Sequence, residues 1–265
     1  MENKNIKVSI ITPTYNCNKY VRKTILSVLN QTYDNFEIII VDDCSNDSTI
    51  EEIKRIKDKR IKLFVNKKNQ GAAYCRNLAI SKATGDYIAF LDGDDLWMKN
   101  KLEEQLSFMI DNNIDFSYTN YYVLDDKDNK ICSYYTGPKN VNHKKFVKLD
   151  YVGCLTVMYK KSIYPDLSIP NDIYKRNDYA LWLKLSEKAD CRLLNKNLAI
   201  YRSRTNSISS ISKFKLIKYH KIVFNKLYGY NSLKSSLCAF RNVFHYVFKG
   251  IRYKKKVKEV VAYEF

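Results

Sequence analysis

The sequence predicts an α/β fold: a mostly parallel sheet flanked by helices, with a basic helical extension at the C-terminus. Three observations carry this expectation. In the N-terminal part of the chain, short apolar runs alternate four times with stretches of helical periodicity, the pattern of consecutive strand–helix units. Several of those runs end abruptly in acidic or aromatic residues, where ligands sit in such sheets. Finally, no Asp or Glu lies between Cys191 and Lys258, a span in which Lys and Arg recur.

At 265 residues the chain can hold one large α/β domain with an appendage, or two small domains. The formal net charge of +18 is weighted to the C-terminal third, which implies an anionic partner surface: phospholipid headgroups, nucleic acid or an anionic substrate. The seven cysteines are odd in number and form no C-x-x-C pair, so reduced thiols in a cytoplasmic compartment are expected. The N-terminus MENKNIKVSI lacks a signal-peptide core, and no apolar run reaches the ~18 residues of a spanning helix. A soluble or peripheral protein is expected.

The first strand is Lys7–Ile11, and Pro13 gives it an extended exit towards Tyr15. Tyr15 is either a ligand-stacking ring or a packing tyrosine. Asn18 is a candidate N-cap for a helix carrying Val21, Ile25, Val28 and Leu29 at helical spacing. A second strand, Phe36–Val41, ends in Asp42-Asp43, and the next helix starts near Asp47 or Ser48. Asp47 is read as a cap. Asp42 and Asp43 are acceptor-only groups suited to ribose hydroxyls or a base N–H. Strand three is Ile61–Val65, followed by a helix with Arg76 and Asn77. Arg76 either pairs with a phosphate, orders the carboxylates or lies on the surface.

The fourth apolar run, Tyr87–Leu91, is strand-sized and stops in Asp92-Gly93-Asp94-Asp95. So much negative charge at a strand end is costly unless a cation or an array of donors sits there. Magnesium-type ions take one or two carboxylates plus substrate phosphates, so a metal-bridged phosphate site fits; an Asp-Gly turn into a helix is the plain alternative. Beyond it, Asn100–Ile110 is helical, Phe116–Tyr121 is a strand, 125–139 is a hairpin or excursion, and Tyr151–Tyr159 returns as a β segment. In RNDYALWLKL, residues Ala180, Leu181, Trp182, Leu185 and Ala189 make the apolar face of a helix with Asp178 in its first turn. Asp178 either caps that helix or serves as a general base; Asp166 and Asp172 are weaker candidates. His143, His220 and His245 share no metal-ligand spacing.

SIITPTYNCNKY, IIIVDDCSNDST, NQGAAYCRNLAISKATGDYIAFLDGDD and RNDYALWLKL resemble successive motifs of the family 2 glycosyltransferases, from about Lys7 to Ser210. The resemblance implies a GT-A fold, a Rossmann-like sheet, and an inverting transferase using a UDP-sugar. It implies that Pro13, Tyr15, Asp42 and Asp43 hold the uridine with Arg76 assisting, that Asp92 and Gly93 meet the donor's ribose end, and that Asp94 carries Mn2+ or Mg2+ on the diphosphate. Asp95 lies beside that ion, and Asp178 is the base. The family's Glu before that base is Asn177 here, which puts that Glu's role in doubt. Arg202 or Arg204 would close over the diphosphate. The implied acceptor is a glycan or polyprenol-linked glycan of bacterial surface polysaccharide: O-antigen, capsule or lipooligosaccharide.

Residues 1–210 are thus expected to form the catalytic domain and 211–265 a basic extension. There Leu237, Phe240, Phe244, Val247 and Ile251 recur as one apolar stripe, with Arg241, His245, Lys249, Arg252 and Lys254–Lys256 polar or basic. Such a helix suits the anionic inner face of a membrane, or packs its stripe on the catalytic domain. A basic nucleic-acid-binding protein leaves the acid-ended strands unexplained, so no nucleic acid is expected. A non-catalytic sugar-nucleotide-binding subunit remains the second alternative.

Overall fold

The computed structural model describes residues 5–125, 130–203 and 213–257. β1 (Val8–Thr14), α1 (Asn18–Leu29), β2 (Phe36–Asp42), α2 (Thr49–Lys54), β3 (Ile61–Val65), α3 (Ala72–Lys82) and β4 (Tyr87–Phe90) alternate as the apolar runs require. The strands lie side by side as β3-β2-β1-β4, all parallel. From β1 the chain moves to β2 on one side and later returns to β4 on the other. Such a reversal opens a crevice at the carboxyl ends of the two strands.

β5 (Leu96–Trp97), α4 (Lys101–Asp111), β6 (Phe116–Asp125), β7 (Lys130–Tyr135), β8 (Asn140–Val141), α5 (His143–Lys148), β9 (Met158–Lys160), α6 (Asn177–Ser186) and β10 (Cys191–Ser203) follow. The parallel order stops at β4: β9 pairs antiparallel with both β4 and β6, and β7 antiparallel with β6. β10 runs parallel to β6 and antiparallel to β5 and β8. Parallel pairing needs long crossovers, whereas the short link from β6 to β7 allows only a hairpin.

Every residue of β2 is buried, so its apolar residues face both sides of the sheet. Ile39 and Val41 join Ile11 and Phe90 in a core covered by α3 and α6; Ile38 and Ile40 join Val8 and Ala89 in a second core covered by α1 and α4. The two-residue period of a strand makes this division. Trp182 of α6 is fully buried, edge-on to Phe90 with ring centroids 5.0 Å apart.

The C-terminal segment forms α7 (Lys213–Tyr228), α8 (Ser232–Tyr253) and β11 (Lys254–Lys256), the last pairing antiparallel with β7 at the sheet edge. Val223 and Phe224 of α7 enter the α3/α6 core. α8 buries Ser235, Ala239, Asn242 and Val243 instead of the expected stripe, whose described members Leu237, Phe240, Phe244 and Ile251 are exposed. The Val247 side chain and the 204–210 loop lie outside the described residues.

Three local expectations are corrected. β1 runs through Pro13 to Thr14, because Pro13 pairs in register with Val41 and its missing N–H breaks no bond the strand needs there. Asn18 is the first helical residue of α1, not its cap; Cys17 precedes it and makes no side-chain cap. Tyr151–Tyr159 holds a 3-10 turn at Cys154–Thr156, with strand structure only from Met158.

Glu37 is a buried acid inside β2 that receives Ser9 Oγ at 2.6 Å, the Thr84 N–H at 2.7 Å and the Lys62 and Lys7 ammonium groups at 2.7 and 3.0 Å. Burial alone would raise its pKa, but these donors hold it lowered to about 2. A depressed acid stabilises the fold above its unfolded pKa and loses that contribution as pH falls through the folded one. Glu37→Gln should therefore lower the urea midpoint at neutral pH, and its deficit against wild type should shrink as pH falls from 4.5 towards about 2. A deficit that stays constant over that range would contradict this account.

Candidate active site

The crevice between β1 and β4 gathers the sequence-predicted residues from four elements. Tyr15 follows β1 and is 49% exposed, with its ring open to solvent. Next to it, Asn16 adopts a positive φ of 47° and joins the turn after β2: its N–H donates to Ser45 Oγ at 2.9 Å, and its side-chain oxygen accepts from the Asn46 N–H at 3.0 Å.

Asp42 and Asp43 are both buried and build the loops around them. Asp42 accepts from the Ser45 N–H (2.8 Å), Ser45 Oγ (2.7 Å) and Thr14 Oγ1 (2.9 Å). Asp43 accepts from Asn66 Nδ2 (2.8 Å), the Gln70 N–H (2.8 Å) and the Gly71 N–H (2.7 Å). An ionised carboxylate offers about four acceptor positions; Asp42 keeps one, while the Cys75 thiol also bonds to Asp43 and fills its set. A depression of about 540 Å³, lined by Asn66, Lys67, Gln70 and Tyr74 among others, adjoins Asp43. Ser48 stands at the cap position of α2, and Asp47 supports the helix start from one residue earlier, accepting the Thr49 N–H at 2.9 Å.

After β4 the chain turns tightly through Asp92–Asp95. A Cβ on Gly93 would lie 2.9 Å from Thr14 Cγ2 and 3.0 Å from Cys17 Sγ, so only glycine lets this turn lie against the β1–α1 connection. Thr24 Oγ1 donates to the Gly93 carbonyl at 3.1 Å. Asp92 and Asp94 are partly exposed to the crevice, while Asp95 is buried. Asp95 accepts the Arg202 N–H at 3.0 Å, and Arg202 Nε donates to the Asp94 carbonyl at 3.0 Å. Burial, Asp94 and Asp92 push the Asp95 carboxyl well above the usual range. Arg202 therefore braces the acidic turn from β10. Arg204 lies outside the described residues.

Arg76 is the centre of the site. It is buried, and its guanidinium donates through Nη2 to Asp92 and through Nη1 to the Asn177 side-chain oxygen. One cation thus ties the acidic turn to the first residue of α6. Burial opposes its charge, but Asp92, with smaller effects from Cys154 and Asp178, keeps it firmly protonated. Of the sequence alternatives, ordering the carboxylates is the role seen. Asn177 was visible only as a departure from a motif; its partnership with a residue far upstream leaves no local sequence signal.

Asp178 lies one residue further, half-buried, in the first turn of α6. Its carboxylate accepts no hydrogen bond from the described residues, and it sits in the field of Arg76, Arg176 and Lys249. Arg176, with a φ of 62°, precedes the helix and pairs with buried Asp150 at 2.6 Å and with His220 Nε2 of α7 at 3.0 Å. Burial and Arg176 push the His220 pKa well down, so the ring is a neutral acceptor. Asp172, a weaker candidate base, is exposed and pairs with Lys226. The nearby thiols are no nucleophiles: burial pushes Cys17 up to about 12 and Cys154 well above its ordinary value.

Among the described residues no three His, Cys, Asp or Glu side chains converge into a ready metal cage. Asp92 and Asp94, partly exposed at a strand end, nevertheless suit a hard divalent ion that would take its other oxygens from a substrate diphosphate and water. The fold and this crevice define a glycosyltransferase of GT-A type. The family profile of Glycosyl transferase family 2 matches residues 9–165, and the chain belongs to that family. It is 40% identical over 213 residues to the Escherichia coli UDP-Glc:α-D-GlcNAc-diphosphoundecaprenol β-1,3-glucosyltransferase WfgD, covering 80% of this chain and 82% of that one. Among solved structures, S. aureus TarS in complex with UDP has a TM-score of 0.68 at 20% identity, covering 93% of this chain and 74% of that one. The Pyrobaculum calidifontis mannosyltransferase PcManGT, in complex with GDP-Man and Mn2+, has a TM-score of 0.64 at 17% identity, covering 89% and 69%.

Arg76→Lys keeps the charge but removes the fork that reaches two partners. Transfer should fall about tenfold or more with circular dichroism unchanged. An unaltered rate would deny Arg76 its organising role.

Proposed function

We propose that the chain is an inverting, metal-dependent glycosyltransferase moving a sugar from a UDP-sugar to a hydroxyl of a lipid-linked glycan, in bacterial surface polysaccharide biosynthesis such as O-antigen, capsule or lipooligosaccharide. Residues 1–210 carry the chemistry and 211–265 the attachment to the cytoplasmic face of the membrane. The observation that supports it most is the Asp178 carboxylate, which accepts no hydrogen bond from the described residues and is held next to Asn177, which Arg76 ties to Asp92.

In this reading Tyr15 stacks on the donor base, with Pro13 shaping the strand exit beneath it. Asp42 and Asp43 accept from a base N–H or a ribose hydroxyl, Asp43 in exchange for one of its loop donors. Asp92 and the backbone at Gly93 meet the ribose end. Asp94, with Asp92 and Asp95 close by, would hold Mn2+ or Mg2+, which when bound would supply positive charge to the leaving diphosphate. Asp178 accepts the proton of the acceptor hydroxyl as that oxygen attacks the anomeric carbon from the face opposite the diphosphate. The specificity of WfgD, a UDP-glucose donor and a diphosphoundecaprenol-linked acceptor, supports the donor and acceptor classes, and the Mn2+ complex of PcManGT supports the ion.

Calorimetry with UDP and UDP-sugars tests the donor site. Binding should require Mn2+ or Mg2+ in wild type and be lost in Asp94→Ala; equal binding without metal, or none to any UDP-sugar, would overturn the assignment. Asp178→Asn should retain UDP binding while kcat falls roughly 10²–10⁴-fold. A variant with near-normal kcat would exclude Asp178 as the base.

A further inference from the structure

We propose that α8 is an interfacial helix that lies in the plane of an anionic bilayer and inserts Leu233, Leu237, Phe240, Phe244, Phe248 and Ile251. This deepens the proposed function by naming the surface on which a lipid-linked acceptor is met. The six residues range from 52% to 80% exposed, although each is large and apolar. Their spacing of four, three, four, four and three residues keeps them on one narrow face of a 22-residue helix. That face is about 33 Å long, at ~1.5 Å per residue, and far more apolar than water tolerates without a partner.

Charge selects the occupant. Lys234, Arg241 and Arg252 fall along one flank of the stripe, and Lys254, Lys255 and Lys256 follow directly in β11; all six are exposed. No acid lies between Cys191 and Lys258 to oppose them. A second copy of this chain docked stripe to stripe would bring the two sets of cations towards each other with no carboxylate from this segment between them. An anionic lipid surface neutralises them instead, and apolar side chains beside Lys and Arg are what an interfacial helix presents to it. Among the described residues no helix is long and apolar enough to cross a membrane, so α8 lies on the surface rather than through it.

The opposite face of α8 fixes the orientation of the catalytic centre. Asn242 Nδ2 donates to the Tyr179 hydroxyl at 2.9 Å, and Tyr179 adjoins Asp178. Lys249 Nζ donates to the Asp150 carbonyl at 2.7 Å, and Asp150 holds Arg176. A helix lying on the bilayer therefore carries the start of α6 about one helix diameter, ~10–12 Å, from the headgroups.

Vesicle co-sedimentation, which needs no transferase activity, tests this separately from the function. Wild type should sediment with vesicles of phosphatidylcholine containing phosphatidylglycerol and bind vesicles of phosphatidylcholine alone about tenfold more weakly. Phe240→Ser with Phe244→Ser should weaken anionic-vesicle binding by about tenfold or more with an unchanged melting temperature. In Phe244→Trp the added indole should be quenched by brominated lipid, whereas Trp97 and Trp182 are buried. Wild type that stays in the supernatant, an unquenched indole, or serine variants that break a dimer while still binding vesicles would each overturn the proposal.

Discussion

The site depends on one buried guanidinium. Arg76 reaches from α3 to Asp92 after β4 and to Asn177 at the start of α6, so three elements distant in sequence are fixed by one planar fork. Taking an arginine out of water is unfavourable unless its charge and donors are met; here Asp92 meets the charge and the Asn177 amide oxygen takes a second donor, while Nε has no partner among the described residues. The same contacts set the electrostatics. Asp92 is partly neutralised from within, which leaves Asp94 as the acid of the turn most open to a bound ion. Asp178 feels the cation without being captured by it. An acid committed to a salt bridge makes a poor base; one held near a cation that is already paired keeps its lone pairs free.

A second buried polar cluster supports the same helix from behind. Arg176, Asp150, His220 and the Lys249 ammonium interlock α6, α7 and α8 with the segment after α5. Burial raises the Asp150 pKa, while Arg176 and Lys249 act against that rise. The C-terminal helices thus hold α6 in place as well as providing a surface beyond it.

Much of this was legible in the sequence, for physical reasons that also mark where legibility stopped. The four apolar runs became strands because runs that short bury only as strands, and the acids at their ends lie at the crevice because parallel strands point the same way. Asp47 was readable as a helix-start residue, though the cap position itself falls to Ser48. Asp42 and Asp43 were readable as acids at the right place, but their commitments to Ser45, Gln70 and Gly71 depend on loop shape that no spacing reveals. The bridge between Arg76 and Asn177 spans about a hundred residues and has no periodicity to betray it. The stripe of α8 was visible, but whether it packed or faced outwards was left open: periodicity shows that a helix is two-faced without saying which face meets the protein, and here small and polar residues make that contact.

The stereochemistry of transfer tests the central claim, that Asp178 activates a hydroxyl across the ring from the diphosphate in a single displacement. Proton NMR of the first turnovers with an α-linked UDP-sugar reads the new anomeric proton directly. The account predicts a β-linked product from the outset. An α-linked product would mean retention, and with it a reaction in which Asp178 is not the base of a direct attack.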